Sequence, residues 1–430
     1  MSDALAMERD QAMEICERAL EASEADATMV HLGAGSSALT RFANNQIHQN
    51  VAEEGSGLSV RAFVGQRSGI ATGNDLSDNG IADTVRRALE LAQLAEPDEK
   101  LGPLPEAQEI PHEVRGVSAT ANFGADERAA AVRAMIAVAE DAGQSASGAC
   151  SVGVTASAVA TSAGVRAFDE TTMANLRTVI MAGDSSGYAA ATSRDVREID
   201  AEALAQVACE KAAASAQPTS VEPGEWDVIF EPDAVGTIVG YTSMLSFGAL
   251  GVHEGRSAVA RRIGEQVCGD NITVWDDGLD PRGMMSSFDY EGMPRRAVTL
   301  IENGVAAGLV YDTATAATDE TTTTGHATGP GGWGPMPGNL FMQPGPATVE
   351  EMIASTERGL LVTRFHYTNI VSPKQTILTG MTRDGTFLIE GGRIAGGVKN
   401  LRFTENILEA LVRVEMIGEV GSFTGMMWAP

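Results

Sequence analysis

From Ala12 onward, Ile15, Cys16, Ala19 and Leu20 recur at the spacing of one helical face. Leu58-Ser59-Val60-Arg61-Ala62-Phe63-Val64 instead places an aliphatic side chain at every second position, the pattern of a half-buried strand. Gly65-Gln66-Arg67-Ser68-Gly69 then predicts a hairpin turn, and Ile81, Val85, Ala88, Leu89 and Ala92 a second helix. About 120 residues later the order recurs. A helix is predicted after Asp126 as N-cap, with Val132, Met135, Ile136 and Ala139 on one face. Strands are predicted over Ser151–Ala160 and Asn175–Ala182, and Gly183-Asp184-Ser185-Ser186-Gly187 repeats the G-x-x-S-G turn. Ala191-Thr192 and Asp195 match Ala71-Thr72 and Asp75, and Leu204, Val207, Ala208 and Ala212 mark a closing helix. Two copies of one helix–strands–helix module follow from this order.

Pro97, Pro103, Pro105 and Pro111, set among acidic residues, predict an exposed, semi-extended linker between the copies. A second break falls between Gln217-Pro218 and Pro223-Gly224. Beyond it the texture changes: Val228-Ile229-Phe230 reads as a short buried strand and Asp233–Gly251 as one close-packing helix. Asn303-Gly304 and Gly391-Gly392 predict hairpins, and Thr404–Glu415 a last helix. The expected fold is α+β, with modules over 1–96 and 114–217, a linker over 97–113, and a mostly β C-terminal domain over 224–430.

At 430 residues, 43% of them hydrophobic, the chain can build more than one core. Its 58 acidic and 30 basic residues give a formal net charge of −28. Such a surface repels nucleic-acid phosphates and anionic membranes, and the densest basic clusters, Arg261-Arg262 and Arg295-Arg296, are only pairs. Solubility is the plainer reading of the acidity. Cys16, Cys150, Cys209 and Cys268 form no C-x-x-C pair, which predicts neither a disulfide framework nor a zinc knuckle. With neither a signal-like start nor a long apolar run, the expectation is a cytoplasmic protein without a membrane segment.

Candidate chemistry is sparse. The six histidines are His31, His48, His112, His253, His326 and His366, and none pairs with another at i+4 or i+5 as a metallopeptidase helix requires. His253-Glu254 is half of such a motif, but Ser257 and Ala258 stand where its second histidine would fall. Gly325–Pro337 reads as a long mobile loop whose His326 and Trp333 are candidates, with His253 and Glu254, for contacts to substrate or partner. There is no G-x-S-x-G elbow. Paired acids such as Glu53-Glu54, Asp276-Asp277 and Asp289/Glu291 are expected in so acidic a chain without a catalytic role.

Several segments in order carry a family resemblance: Val274-Trp275-Asp276-Asp277-Gly278, Asp289-Tyr290-Glu291-Gly292-Met293-Pro294, Leu300-Ile301-Glu302-Asn303-Gly304, Thr324-Gly325-His326-Ala327, Pro337-Gly338-Asn339-Leu340 and Glu357-Arg358-Gly359-Leu360. With the G-x-x-S-G turns, they make nearly the whole chain resemble the TldD/PmbA peptidases, once called modulators of DNA gyrase. The resemblance implies a barrel-like sheet around a channel in the C-terminal domain. In the TldD branch a helix carries H-E-x-x-x-H, whose histidines hold zinc, and a cysteine near the C-terminus is the remaining protein ligand. Aligned on Glu254-Gly255, Ser246 and Gly251 replace the two histidines and Phe247 the glutamate; Gly421–Met427 holds no cysteine. A zinc site needs about three protein ligands and a base for its water, so no metal and no catalytic residue are expected in this chain. The loss matches the TldE/PmbA branch. The resemblance therefore implies a heterodimer with a TldD-like zinc protease acting on unfolded peptides, with zinc in the partner. Two alternatives stay open: a self-sufficient metallopeptidase using His253, Glu254, His326 and His366, and a non-proteolytic protein-binding modulator.

Overall fold

The computed structural model describes residues 6–99, 101–110, 112–425 and 427–430. The first five residues of the expected signal-free start, Lys100 and Pro111 of the linker, and Met426 of the C-terminal segment lie outside them. The first module comprises α1 (Arg9–Glu21), β1 (Ala27–Ala43), β2 (Gln46–Val64), β3 (Arg67–Gly73) and α2 (Asp78–Leu94). After a one-turn helix α3 (Ser118–Ala121), the second module comprises α4 (Ala125–Asp141), β4 (Ser145–Thr161), β5 (Arg166–Ala182), β6 (Ser185–Ser193) and α5 (Ala201–Ala214). The strands run well beyond the segments predicted from alternation, because small side chains such as Gly33, Gly35, Gly148 and Gly153 hide the period of two. Helix α4 is capped by Gly124 without a side-chain bond, and Asp126 lies inside its first turn instead.

The two modules form one sheet, not two. Its order is β3-β2-β1-β4-β5-β6, joined at the centre by antiparallel pairing of β1 with β4. β4 begins and ends 118 positions after β1 (Ala27 to Ser145, Ala43 to Thr161). Ser36 pairs with Val154, its own counterpart at that offset, so an approximate twofold axis passes between them. The G-x-x-S-G signature follows from two requirements that each copy repeats. Gly65 and Gly183 turn the hairpins with φ +55° and +67°. At Gly69 a Cβ would strike the backbone of Ala88 and Ala92 of α2, and at Gly187 that of Ala208 and Ala212 of α5. The Asp75/Asp195 match holds at a larger offset because β6 runs two residues farther than the counterpart of β3. Each aspartate accepts a backbone N–H two residues on, from Ser77 and Arg197 (both 3.0 Å).

Both modules bury one sheet face against their helices. Cys16, Val30, Leu32, Leu58 and Val60 with Ile81 and Val85 form the first core, and Met135, Cys150, Leu176, Ile180 and Cys209 belong to the second. All four cysteines are buried and free, and burial pushes the Cys16 and Cys150 thiols up to about 12. Described residues 101–110 of the linker carry no regular structure, yet the linker is not fully exposed. Ile110 packs on Val159, Val165, Phe288 and Met293, where the front sheet meets the C-terminal domain.

The C-terminal domain contains β7 (Asp227–Phe230), α6 (Pro232–Ser246), α7 (Ala249–His253), β8 (Val274–Asp276), β9 (Val298–Glu302), β10 (Val305–Ala306) and α8 (Thr313–Thr318). It continues with β11 (Leu340–Met342), α9 (Val349–Ser355), β12 (Arg358–Ser372), β13 (Ile377–Glu390), β14 (Arg393–Gly397) and β15 (Arg402–Asn406). It closes with α10 (Ile407–Leu411), β16 (Ser422–Phe423) and β17 (Met427–Ala429). One sheet runs β10-β9-β8-β11-β17-β16; the other runs β14-β13-β12-β7, with β15 also on β13. Both sheets stay open, so the barrel expectation is met only loosely. The Asn-Gly and Gly-Gly hairpins form between β9 and β10 and between β13 and β14.

Two helix predictions are corrected. The last helix shrinks to α10, because Arg402–Asn406 pairs with β13. The helix over Asp233–Gly251 is broken at Phe247-Gly248. There the Val310 N–H donates to the Phe247 carbonyl (2.9 Å) and the Ala249 N–H to the Val310 carbonyl (3.1 Å), a strand-like bridge that outcompetes helix propagation. Among the described residues no helix is long and apolar enough to cross a membrane.

Candidate functional site

Helix α6 and the C-terminal strand β17 are the elements on which the resemblance would place metal ligands, and they pack together. A Cβ on Gly236 of α6 would overlap the Thr424 side chain just before β17. The side chains between them do not suit zinc. Phe247 is fully buried in an apolar cluster with Ile238, Leu245, Leu300 and Met427, and offers no donor where the resemblance would place a general base. Ser246 is fully buried, its hydroxyl is without a partner, and its carbonyl accepts the Ser257 hydroxyl (2.6 Å). Gly251 lies in α7, beyond the helix break, so it does not continue the face that carries Ser246. A serine, a phenylalanine and a glycine offer neither imidazole nor carboxylate to a divalent cation.

The remaining predicted residues are dispersed. His253 Nε2 lies 2.8 Å from Asp319 Oδ1, and the Tyr311 hydroxyl donates to Asp319 Oδ2 (3.1 Å). Glu254 holds Arg256, whose guanidinium donates to the Trp333 carbonyl (2.7 Å) and lies 5.2 Å from the centre of its ring. Glu254 and Trp333 are therefore brought to one rim, with Trp333 half exposed. His326 lies elsewhere, fully buried, while His366 is exposed on β12. Among the described residues, no group of three or more His, Cys, Asp or Glu side chains is placed to hold a metal ion.

His326 anchors the glycine-rich loop from beneath. Its Nε2 meets Asp276 Oδ1 (2.9 Å) and its Nδ1 the Thr324 carbonyl (2.9 Å), while Asp276 Oδ2 accepts the N–H groups of Gly338 (2.6 Å) and Asn339 (2.7 Å). Burial disfavours the Asp276 charge, but the His326 bond and the nearby Arg295 outweigh it and hold the carboxyl below its usual range. The segment read as a mobile loop is thus tied to β8 at its start. It is tied again through Asp289, which accepts the Ala327 N–H (2.8 Å). Asp289 is nonetheless pushed upward by burial.

A polar cluster that sequence reasoning passed over lies where Asp289–Pro294 meets the front sheet. The Tyr290 ring stacks on His31 of β1, with centroids 3.9 Å apart, and burial lowers the His31 pKa to about 4. Arg61 of β2 faces the same segment, and its Nε is buried without a partner. Glu291 accepts the Thr313 N–H (2.9 Å) and hydroxyl; burial, helped by Asp289, pushes it up to about 7. Beside them opens a cleft of about 480 Å³, lined by His31, Leu58, Ser59, Thr72 and Asn74 and by the glycines Gly33, Gly57 and Gly73. The available signal was His31, a titratable group in an otherwise apolar and glycine-bearing run; Glu291, set among Asp289, Arg295 and Arg296, gave none.

The chain matches the PmbA/TldA metallopeptidase C-terminal domain over residues 223–430 and PmbA/TldA metallopeptidase domain 1 over 32–92. Its fold is similar to the crystal structure of TldE from Thermococcus kodakarensis: TM-score 0.87, 22% identity, 97% of each chain covered. A protein of Methanocaldococcus jannaschii is 33% identical over 149 residues, covering 34% of this chain and 35% of that one. A metalloprotease of Methanothermobacter thermautotrophicus is 24% identical over 238 residues, covering 55% of this chain and 51% of that protein. The chain spans about a third to a half of the length of these curated relatives. With two domain models of the family matched in order, over 32–92 and 223–430, the chain belongs to the PmbA/TldD family.

Proposed function

We propose that this chain is a metal-free, TldE-like subunit of a two-protein TldD/TldE-type metalloprotease, which degrades or trims unfolded peptides. What supports the reading is that Ser246, Phe247 and Gly251 stand where the resemblance places two histidines and a glutamate, and that the helix breaks between Ser246 and Gly251. The similarity to a TldE structure and to a metalloprotease supports it. In this reading the zinc and the base that activates its water belong to a TldD-like partner. This chain contributes the wall of the substrate channel, with Trp333 and Arg256 on the exposed rim of the loop over 325–337.

The test is to purify the chain alone and with a TldD-like zinc protease, then measure zinc content and cleavage of an unfolded protein such as casein. The expected result is no stoichiometric zinc and no cleavage by the chain alone, with chelator-sensitive cleavage when the partner is added. Chelator-sensitive cleavage by the isolated chain would overturn the reading.

A further inference from the structure

The twofold relation between the front modules gives each strand edge a counterpart, and one pair of counterparts is treated unequally. β3 covers only Leu58–Val64 of β2, and β6 covers only Ala174–Ala182 of β5. On β5 the remaining edge is occupied by the chain itself. The Glu170 N–H donates to the Val114 carbonyl (3.0 Å), the Val114 N–H to Asp169 Oδ1 (2.8 Å), and the Val117 N–H to Thr172 Oγ1 (3.0 Å). This extended segment, together with Ser287, whose N–H (2.7 Å) and hydroxyl (2.6 Å) donate to Asp169, and the Arg194 carbonyl, which accepts the Thr172 hydroxyl (2.9 Å), covers Asp169, Glu170 and Thr172, all of them buried. Their counterparts on β2, at the same 118-residue offset, are Val51, Ala52 and Glu54, and there no described residue pairs with that edge. Ala52, Glu53 and Glu54 are exposed.

An open edge this long is a template for another strand, and proteins ordinarily guard such edges with charged side chains, lysine above all, with proline or with a bulge. Residues 46–57 contain no lysine, arginine or proline, and the irregularity in the β1–β2 ladder lies at Arg41/Phe42, opposite the very start of the edge. What the edge does carry is the acidic pair Glu53-Glu54. We infer that the Gln46–Gly57 edge of β2 holds an extended segment of an unfolded polypeptide as an added strand. The preferred segment has a basic side chain among small aliphatic ones, as Arg115 stands between Val114 and Val117 on the other edge. Main-chain hydrogen bonds supply affinity with little demand on sequence, and the acidic pair supplies the preference for basic segments. The source of the strand rests on the peptide-handling function proposed above; the edge itself does not.

The experiment uses the full chain without a zinc subunit, so its failure leaves the zinc and cleavage test untouched. The probe is a synthetic peptide with the sequence of residues 112–120, together with its Glu113→Lys form. Hydrogen–deuterium exchange is followed across the protein, and binding is measured by fluorescence anisotropy. The expected result is slowed exchange of amides in 46–57 on adding peptide, tighter binding of the Glu113→Lys form, and about tenfold weaker binding to the Glu53→Lys/Glu54→Lys variant. Both glutamates are exposed, so that variant keeps its core. Binding that leaves exchange in 46–57 unchanged overturns the inference. So does protection already present in the peptide-free chain and lost on dilution, which assigns the edge to a second copy. Protection produced by a TldD-like protein alone also overturns it, since the edge then belongs to the partner.

Discussion

Glu291 is half-buried beside the buried Asp289, and its carboxyl is pushed from 4.5 to about 7, so Glu291→Gln reads directly on the joint between the front sheet and the C-terminal domain. The amide keeps an oxygen for the Thr313 N–H and hydroxyl but carries no charge to desolvate. Between pH 4.5 and about 7 the folded chain retains a proton that the unfolded chain has released. The unfolded state then binds fewer protons, so stability falls as pH rises through that window and levels off above it. At roughly 1.4 kcal/mol per unit, the full effect is about 3 kcal/mol. The variant therefore gains on the natural chain by about 3 kcal/mol between pH 4 and pH 8. Urea unfolding followed by tryptophan fluorescence measures this, because Trp226, Trp275, Trp333 and Trp428 all lie in the domain that contains Glu291. Comparing the two proteins at each pH cancels the titration of the other acids. A stability difference that does not change between pH 4 and pH 8 would refute the assignment of a charge-averse carboxyl.

Three further substitutions probe the architecture through urea midpoints. Phe247→Ala, at a fully buried position where a metal site's base would stand, is expected to cost about 3–5 kcal/mol; a loss below about 1 kcal/mol would mean the position is not core. His326→Ala leaves the fully buried Asp276 Oδ1 without its imidazole partner and is expected to cost about 1–3 kcal/mol, which an unchanged midpoint would contradict. Gly187→Ala forces α5 off β6 and is expected to cost about 1–3 kcal/mol. Gly143→Ala, where a Cβ meets nothing and only the positive φ is strained, is expected to cost less; the reverse order would refute the close-approach account.

The repeated module was legible because each copy spells its helices at a spacing of 3.6 and marks its hairpin with the same two glycines. The union of the copies into one sheet was not, since pairing of β1 with β4 is a contact across more than a hundred residues that no local pattern records. In the C-terminal domain, composition misled at Asp233–Gly251: the apolar, small-residue run favours a helix throughout, and only the bridge to Val310 breaks it. Ser246, Phe247 and Gly251 could be singled out because they fall where a known motif would fall. The Asp276–His326 pair and the stacking of Tyr290 on His31 join residues from distant segments, and only the folded chain brings them together.

The central pairing of Ser36 with Val154 has a consequence for how the chain folds. Each half of that sheet pairs locally, but joining β1 to β4 closes a very long loop before the contacts that reward it are made, which slows folding. Until then each half-sheet exposes an inner strand that suits the matching strand of another chain as well as its own. Exchange of modules between two molecules is therefore the misassembly to which this topology is most prone, and it is favoured by crowding during synthesis and suppressed by dilution.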